Sequence, residues 1–138
     1  MELANASSIE KYWPDIAAMM RKVPHTLEGY TPESLFQMAM DSRVQLWLVG
    51  KDQITLAMIT QVASFPTGTV LEVFWGAGVK SLDSEYVVDA TLDSFARACS
   101  CVRINVIGRP GWEPLMKAHG FKKQAVVFSR DVRPERVQ

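Results

Sequence analysis

Apolar residues recur at helical spacing from Ser8 to Val23. Ile9, Trp13, Ile16, Ala17 and Met20 share one face, while Glu10, Lys11, Asp15 and Arg21 point away. Pro14 inside this run predicts a kink or a restart, and Pro24 ends it. A second helix opens with Thr31 as N-cap, Pro32 in the first position and Glu33 in the first turn, and its buried stripe is Leu35, Met38 and Ala39. After Arg43 the period changes. Residues 44–49 (VQLWLV) and 54–64 (ITLAMITQVAS) predict two strands joined by a turn at Gly50-Lys51-Asp52. Pro66, Thr67 and Gly68 make the next turn, and 70–75 (VLEVFW) reads as a strand covered on both faces.

Ser84 to Ser100 is the strongest helical pattern, with Val88, Leu92, Phe95 and Cys99 inward and Asp89, Asp93 and Arg97 in water. A strand at 102–107 (VRINVI), a short helix from Trp112 to His119 stopped by Gly120, and a last strand at 124–132 (QAVVFSRDV) complete the pattern. The order is α-α-β-β-β-α-β-α-β. The strand at 70–75, the long helix and the strand at 102–107 form a β-α-β unit, so those two strands run parallel, whereas the earlier hairpin is antiparallel. The prediction is an α/β (α+β) fold around a mixed central sheet.

Composition narrows the picture without changing it. A chain of 138 residues, 48% hydrophobic and 22% charged, suits a single domain over 1–138 with its own core and a frayed tail at 133–138. Fifteen basic residues balance fifteen acidic ones, which argues against nucleic acid as a partner by removing the field that bulk phosphate binding needs. Cys99 and Cys101 are too close in sequence to bridge well and suit a reducing compartment. The sequence shows neither a signal-peptide pattern nor an apolar run of about eighteen residues, so the expected setting is cytoplasmic and off the membrane. His25, His119 and the two cysteines have no zinc spacing, so no metal is expected, and there is no Gly-x-Ser-x-Gly elbow.

The order of elements, together with GRPGW (108–112), a short helix, HGF (119–121) and a final stretch, resembles the GNAT (N-acetyltransferase) superfamily over nearly the whole chain. QLWLV, the hairpin, the ASFPTG turn and LEVFWGAG agree with it, and together they look most like the short GNAT-like proteins carried by tailed phages. A convincing first strand is missing. The resemblance implies a GNAT-like sheet with helices on both faces, and transfer of an acetyl group from acetyl-CoA to an amine of a protein or small molecule. It implies a cofactor lying where 70–75 and 102–107 splay apart, with its diphosphate at the start of the helix between them, where helix-end N–H groups favour anions.

On that resemblance the cofactor-binding residues are Phe74, Trp75, Gly76, Lys80, Ser81, Ser84 and Arg109. The family's paired glycines sit immediately before the helix, whereas Gly76 and Gly78 come earlier, directly after the strand, and Asp83 serves equally as a plain helix cap. Glu72 is the candidate base, because a carboxylate in an apolar strand needs a reason; the alternative is that it faces solvent or pairs with a neighbouring Arg. Asn105 on the facing strand is the candidate for orienting substrate. The family's tyrosine acid is absent from WEPLMKAH, and His119 at the helix end is expected to cap. Trp112 is expected under the Gly108–Gly111 turn. The missing tyrosine and early glycines support the alternative, a non-catalytic GNAT-fold binding or structural protein such as a phage virion component or host-directed factor. The partner is then an amine substrate or another protein, and a homo-oligomer stays open.

Overall fold

The computed structural model describes residues 1–22, 29–78, 82–108 and 110–135. Its centre is a five-stranded sheet in the order β1-β2-β3-β4-β5. The strands are β1 (Glu2–Leu3), β2 (Gln45–Val49), β3 (Leu56–Phe65), β4 (Gly68–Gly78) and β5 (Cys101–Val106). The first four pair antiparallel and β4 pairs parallel to β5, so the sheet is mixed as the β-α-β pattern requires. β1 fills the place where the sequence offered no strand; it pairs Glu2 with Leu48 and Leu3 with Trp47, too short a run to leave an alternation.

Helices α1 (Ala6–Lys22) and α2 (Pro32–Met40) cover one face. Their Ile9, Ile16, Met20, Leu35 and Ala39 pack with Leu46, Leu48, Ala57, Ile59 and Trp75 of the sheet. α1 begins before the expected Ser8 because Asn5 and Ser8 cap it reciprocally, each backbone N–H donating to the other's side-chain oxygen at 2.9 Å. It runs through Pro14 without the expected restart, held by buried Ile9 on one side of the proline and Ile16 on the other. Thr31 caps α2 as its sequence predicts, accepting from the Ser34 N–H at 3.0 Å. The closing role of Pro24 falls outside the described residues.

Helix α3 (Leu82–Ala98) covers the other face, where Leu92 and Ala96 meet Leu71 and Val73 of β4. Helix α4 (Glu113–Ala118) follows a short 3-10 turn, Pro110–Trp112. No helix of the described residues is long and apolar enough to cross a membrane. The expected last strand at 124–132 does not form. Residues 122–135 stay outside the sheet and are exposed throughout, because an alternating segment makes a strand only when a neighbour supplies the hydrogen bonds.

A buried polar contact fixes the middle of the sheet. Thr60 is fully buried, accepts the indole N–H of Trp47 at 2.9 Å and donates to Gln45 Oε1 at 2.9 Å. The Cys101 thiol is pushed up by burial and secondarily by Cys99, so it stays protonated at neutral pH. Replacing Thr60 with Val keeps the shape but strands the Trp47 donor, so thermal unfolding should reveal a loss of about 1–3 kcal/mol. Alkylation of Cys101 should lag that of free glutathione at pH 8 and catch up as pH rises, read by mass spectrometry of the modified peptide.

Candidate active site

The site begins with one extra residue. Ile59 pairs with Trp75 and the next residue, Thr60, pairs with Val73, so Phe74 is a β-bulge in β4. A bulge bends its strand and increases local twist. The effect falls where β4 leaves its parallel neighbour. Val73 pairs with Val106, the Ile107 N–H reaches the Val73 carbonyl at 2.8 Å, and no later residue of β4 pairs with β5. Residues 74–78 thus keep β3 on one flank, while β5 lies off the other. The bulge also reverses the facing of the strand: Val73 lies with α3, whereas Trp75 lies with α1 and α2.

On the α3 side an apolar cavity of about 150 Å³ opens against this gap. Its walls include Val73, Gly76, Ala77, Val106, Trp112 and Met116. That is less than the roughly 300–1,000 Å³ of a site enclosing a whole ligand, and it suits a slender chain end. Trp112 spans the opening. A Cβ on Gly108 would stand 2.5 Å from the indole, and one on Gly76 would stand 3.5 Å from its far edge. The indole therefore lies against Gly108 and reaches across to Gly76 of β4.

On the opposite face, just before the bulge, lies a polar row. Gln61, Glu72 and Asn105 are register partners across β3, β4 and β5, which puts their side chains about 5 Å apart at the base. Glu72 is half-buried, and among the described residues no ion pair or hydrogen bond holds it. The structure thus brings together the two residues proposed as catalytic and adds Gln61. Its signal in the sequence was a polar residue inside an apolar strand, the same signal that singled out Glu72.

Sequence-predicted cofactor residues divide. Gly76 lines the cavity. The Phe74 ring stacks on Tyr30 on the α1–α2 side with centroids 5.3 Å apart, and Trp75 is 2% exposed in the core, so both can offer a ligand in the gap only their main chain. Lys80, Ser81 and Arg109 lie outside the described residues, and of Ser84 only the backbone within α3 is described. Of the early glycines only Gly78 is required by the backbone: at φ +147° it passes so close to the Thr55 carbonyl that no side chain fits, whereas a Cβ on Gly76 would make only an ordinary contact with Trp112. His119 ends α4 but aims at α3: its Nδ1 stands 3.3 Å from Asp89 and its Nε2 4.0 Å from Glu85. Tyr86 of α3 presents an edge to the same imidazole at 6.0 Å. This cluster ties the two helices together at the rim of the cavity.

No family model matches the sequence, and no curated protein matches it. Solved structures do. A probable acetyltransferase, 14% identical, superposes with a TM-score of 0.70 over 98% of this chain and 100% of its own. A predicted acetyltransferase with acetyl-CoA from Clostridium acetobutylicum, 12% identical, gives 0.67 over 94% of each chain. AAC(6')-Iy in complex with a CoA-linked bisubstrate analogue, 9% identical, gives 0.70 over 96% of this chain and 97% of its own. Similarity at these identities defines the class by fold: the chain has the GNAT acetyltransferase fold.

Substituting Gly108 with Ala should drive the indole out of the gap, lowering stability by about 1–3 kcal/mol with a shift in tryptophan emission. Gly76→Ala makes only an ordinary contact and should leave both readings near those of the unaltered protein.

Proposed function

We propose that this chain is an acetyl-CoA-dependent N-acetyltransferase acting on an amine of a protein or a small molecule in the cytoplasm. The observation that carries the reading is the Phe74 bulge, which frees residues 74–78 from β5 and places an apolar cavity on one side of the opening and Glu72 on the other. Bound acetyl-CoA supplies an acetyl group already activated as a thioester. Residues 74–78 hold its slender arm through main-chain N–H and carbonyl groups, and Gly76, Ala77, Val106 and Met116 exclude water around it. Lys80, Ser81 and Ser84 are the residues assigned to its diphosphate, and Arg109 is assigned to clamp an anionic group at the end of the neighbouring strand.

The acceptor amine approaches from the α1–α2 face. Glu72 takes the proton that an ammonium must lose before its nitrogen can attack, and Asn105 and Gln61, one strand to either side, orient the amine by hydrogen bonds. A half-buried carboxylate without a cationic partner suits that task better than one locked in an ion pair. The acetyltransferases of similar fold, one with acetyl-CoA and one with a CoA-linked bisubstrate analogue, support the cofactor assignment.

The second reading is a GNAT-fold protein that binds without transferring, such as a phage virion component. The indole of Trp112 across the opening and the absence of tyrosine from α4 favour it. One titration separates the two. Acetyl-CoA at about 100 times its dissociation constant should stabilise the chain by roughly 2.7 kcal/mol, read as a rise in Tm. Glu72→Gln should keep that rise and lose about 10²-fold or more in thiol release with an active amine. An unchanged Tm at millimolar acetyl-CoA contradicts the transferase reading.

A further inference from the structure

The apolar cavity on the α3 side is larger than the transfer of an acetyl group needs. Its wall does not end with the residues that flank the gap. It continues along α3 with Val88 and Leu92, along α4 with Leu115, and through Met58 of β3 and Phe121. The ionisable side chains on it, Glu85, Asp89 and His119, are engaged with one another at the rim, His119 Nδ1 lying 3.3 Å from Asp89 and Nε2 4.0 Å from Glu85. That cluster braces α3 against α4 and keeps the two helices from closing on the cavity. A pantetheine arm carries amides that need hydrogen-bond partners, which the main chain of 74–78 offers in the gap and the interior does not. What fits the interior is hydrocarbon. Apolar cavities of about 150 Å³ stay dry and accept a six-carbon ring, whereas the methyl of an acetyl group leaves most of such a wall without contacts.

We propose that this cavity is an acyl pocket, and that the donor preferred there is the CoA thioester of an unbranched acid of about four to six carbons. The inference rests on the reading of the gap as an acyl-CoA site and names the acyl group that the site selects. The thioester carbonyl lies in the gap, its tail turns toward α3 and α4, and the amine reaches it from the Glu72 side, so tail and acceptor do not compete for space. In the transfer the ammonium gives its first proton to Glu72 and the amine nitrogen bonds to the carbonyl carbon. The C–S bond breaks, the second nitrogen proton ends on the departing sulfur, and the amide keeps the whole tail. The Trp112 indole, set between Gly108 and Gly76, roofs the tail where it enters. Leu92, buried against β4, is a fixed part of the wall, while Met58 and Met116 are unbranched and adapt to tails of different length.

Calorimetric titration of the full chain with CoA, acetyl-CoA, butyryl-CoA, hexanoyl-CoA and decanoyl-CoA tests the inference by binding alone. Affinity should rise about fourfold for each methylene added from acetyl to hexanoyl, on the order of 100-fold in all, and rise no further at decanoyl. The methyl resonances of Val88, Leu92 and Leu115 should shift with hexanoyl-CoA and stay near their free positions with acetyl-CoA. Val88→Phe and, separately, Leu115→Trp put a ring into the interior. In whichever of them folds by circular dichroism, the ratio of hexanoyl to acetyl affinity should fall about tenfold or more. The methyl shifts of the unaltered chain decide the matter if neither folds. Acetyl-CoA that binds as tightly as hexanoyl-CoA overturns the inference and leaves the transferase reading intact. A gain that continues through decanoyl, leaves those methyls unmoved or survives the added ring is adsorption on the surface, and overturns it too. Failure of CoA and of every thioester to bind ends both readings.

Discussion

The extra residue at Phe74 is the constraint on which the rest of the site depends. Strands in a regular parallel pair stay bonded along their length, and a ligand has no way in between them. One inserted residue bends β4 after its last bond to β5, frees the flank of 74–78 and turns Trp75 into the α1–α2 core while Val73 still packs on α3. The buried Trp75, the Phe74 ring stacked on Tyr30 and the close pass of Gly78 by Thr55 hold the bent strand in place. A gap kept open in this way costs the sheet several hydrogen bonds, which is the kind of local sacrifice that functional sites show.

The gap divides the chemistry by face. Toward α3 and α4 the walls are apolar and ringed at the rim by His119, Asp89 and Glu85. Toward α1 and α2 stands the row Gln61–Glu72–Asn105. In the proposed transfer a thioester end and an amine have opposite demands, dry walls for one and a proton acceptor for the other, and the sheet keeps an apolar and a polar environment on separate sides of a single opening. Trp112 is the residue whose position decides how wide that opening is.

Much of the fold was legible because the core obeys simple periods. The stripe Ile9, Ile16, Ala17 and Met20, the cap at Thr31 and the β-α-β unit were all readable from spacing. Elements held by long-range pairing were not. β1 exists because Leu3 meets Trp47, and residues 124–132 have the alternation of a strand but no neighbour to pair with. The bulge was illegible for the same reason: it is a mismatch of register between two strands, invisible in either one alone. At the site, Glu72 and Asn105 were readable as polar residues in apolar strands. The task of Gly78 depends on Thr55, which approaches from a distant part of the chain.

The account rests on the bare flank of β4 being the place where a pantetheine chain lies. Hydrogen exchange at the individual amides of 74–78, followed with and without saturating acetyl-CoA, measures this directly. Slowed exchange confined to that flank and to the neighbouring walls of the cavity is the predicted result. Exchange there that is indifferent to acetyl-CoA, or protection that appears only at a remote surface, would contradict it.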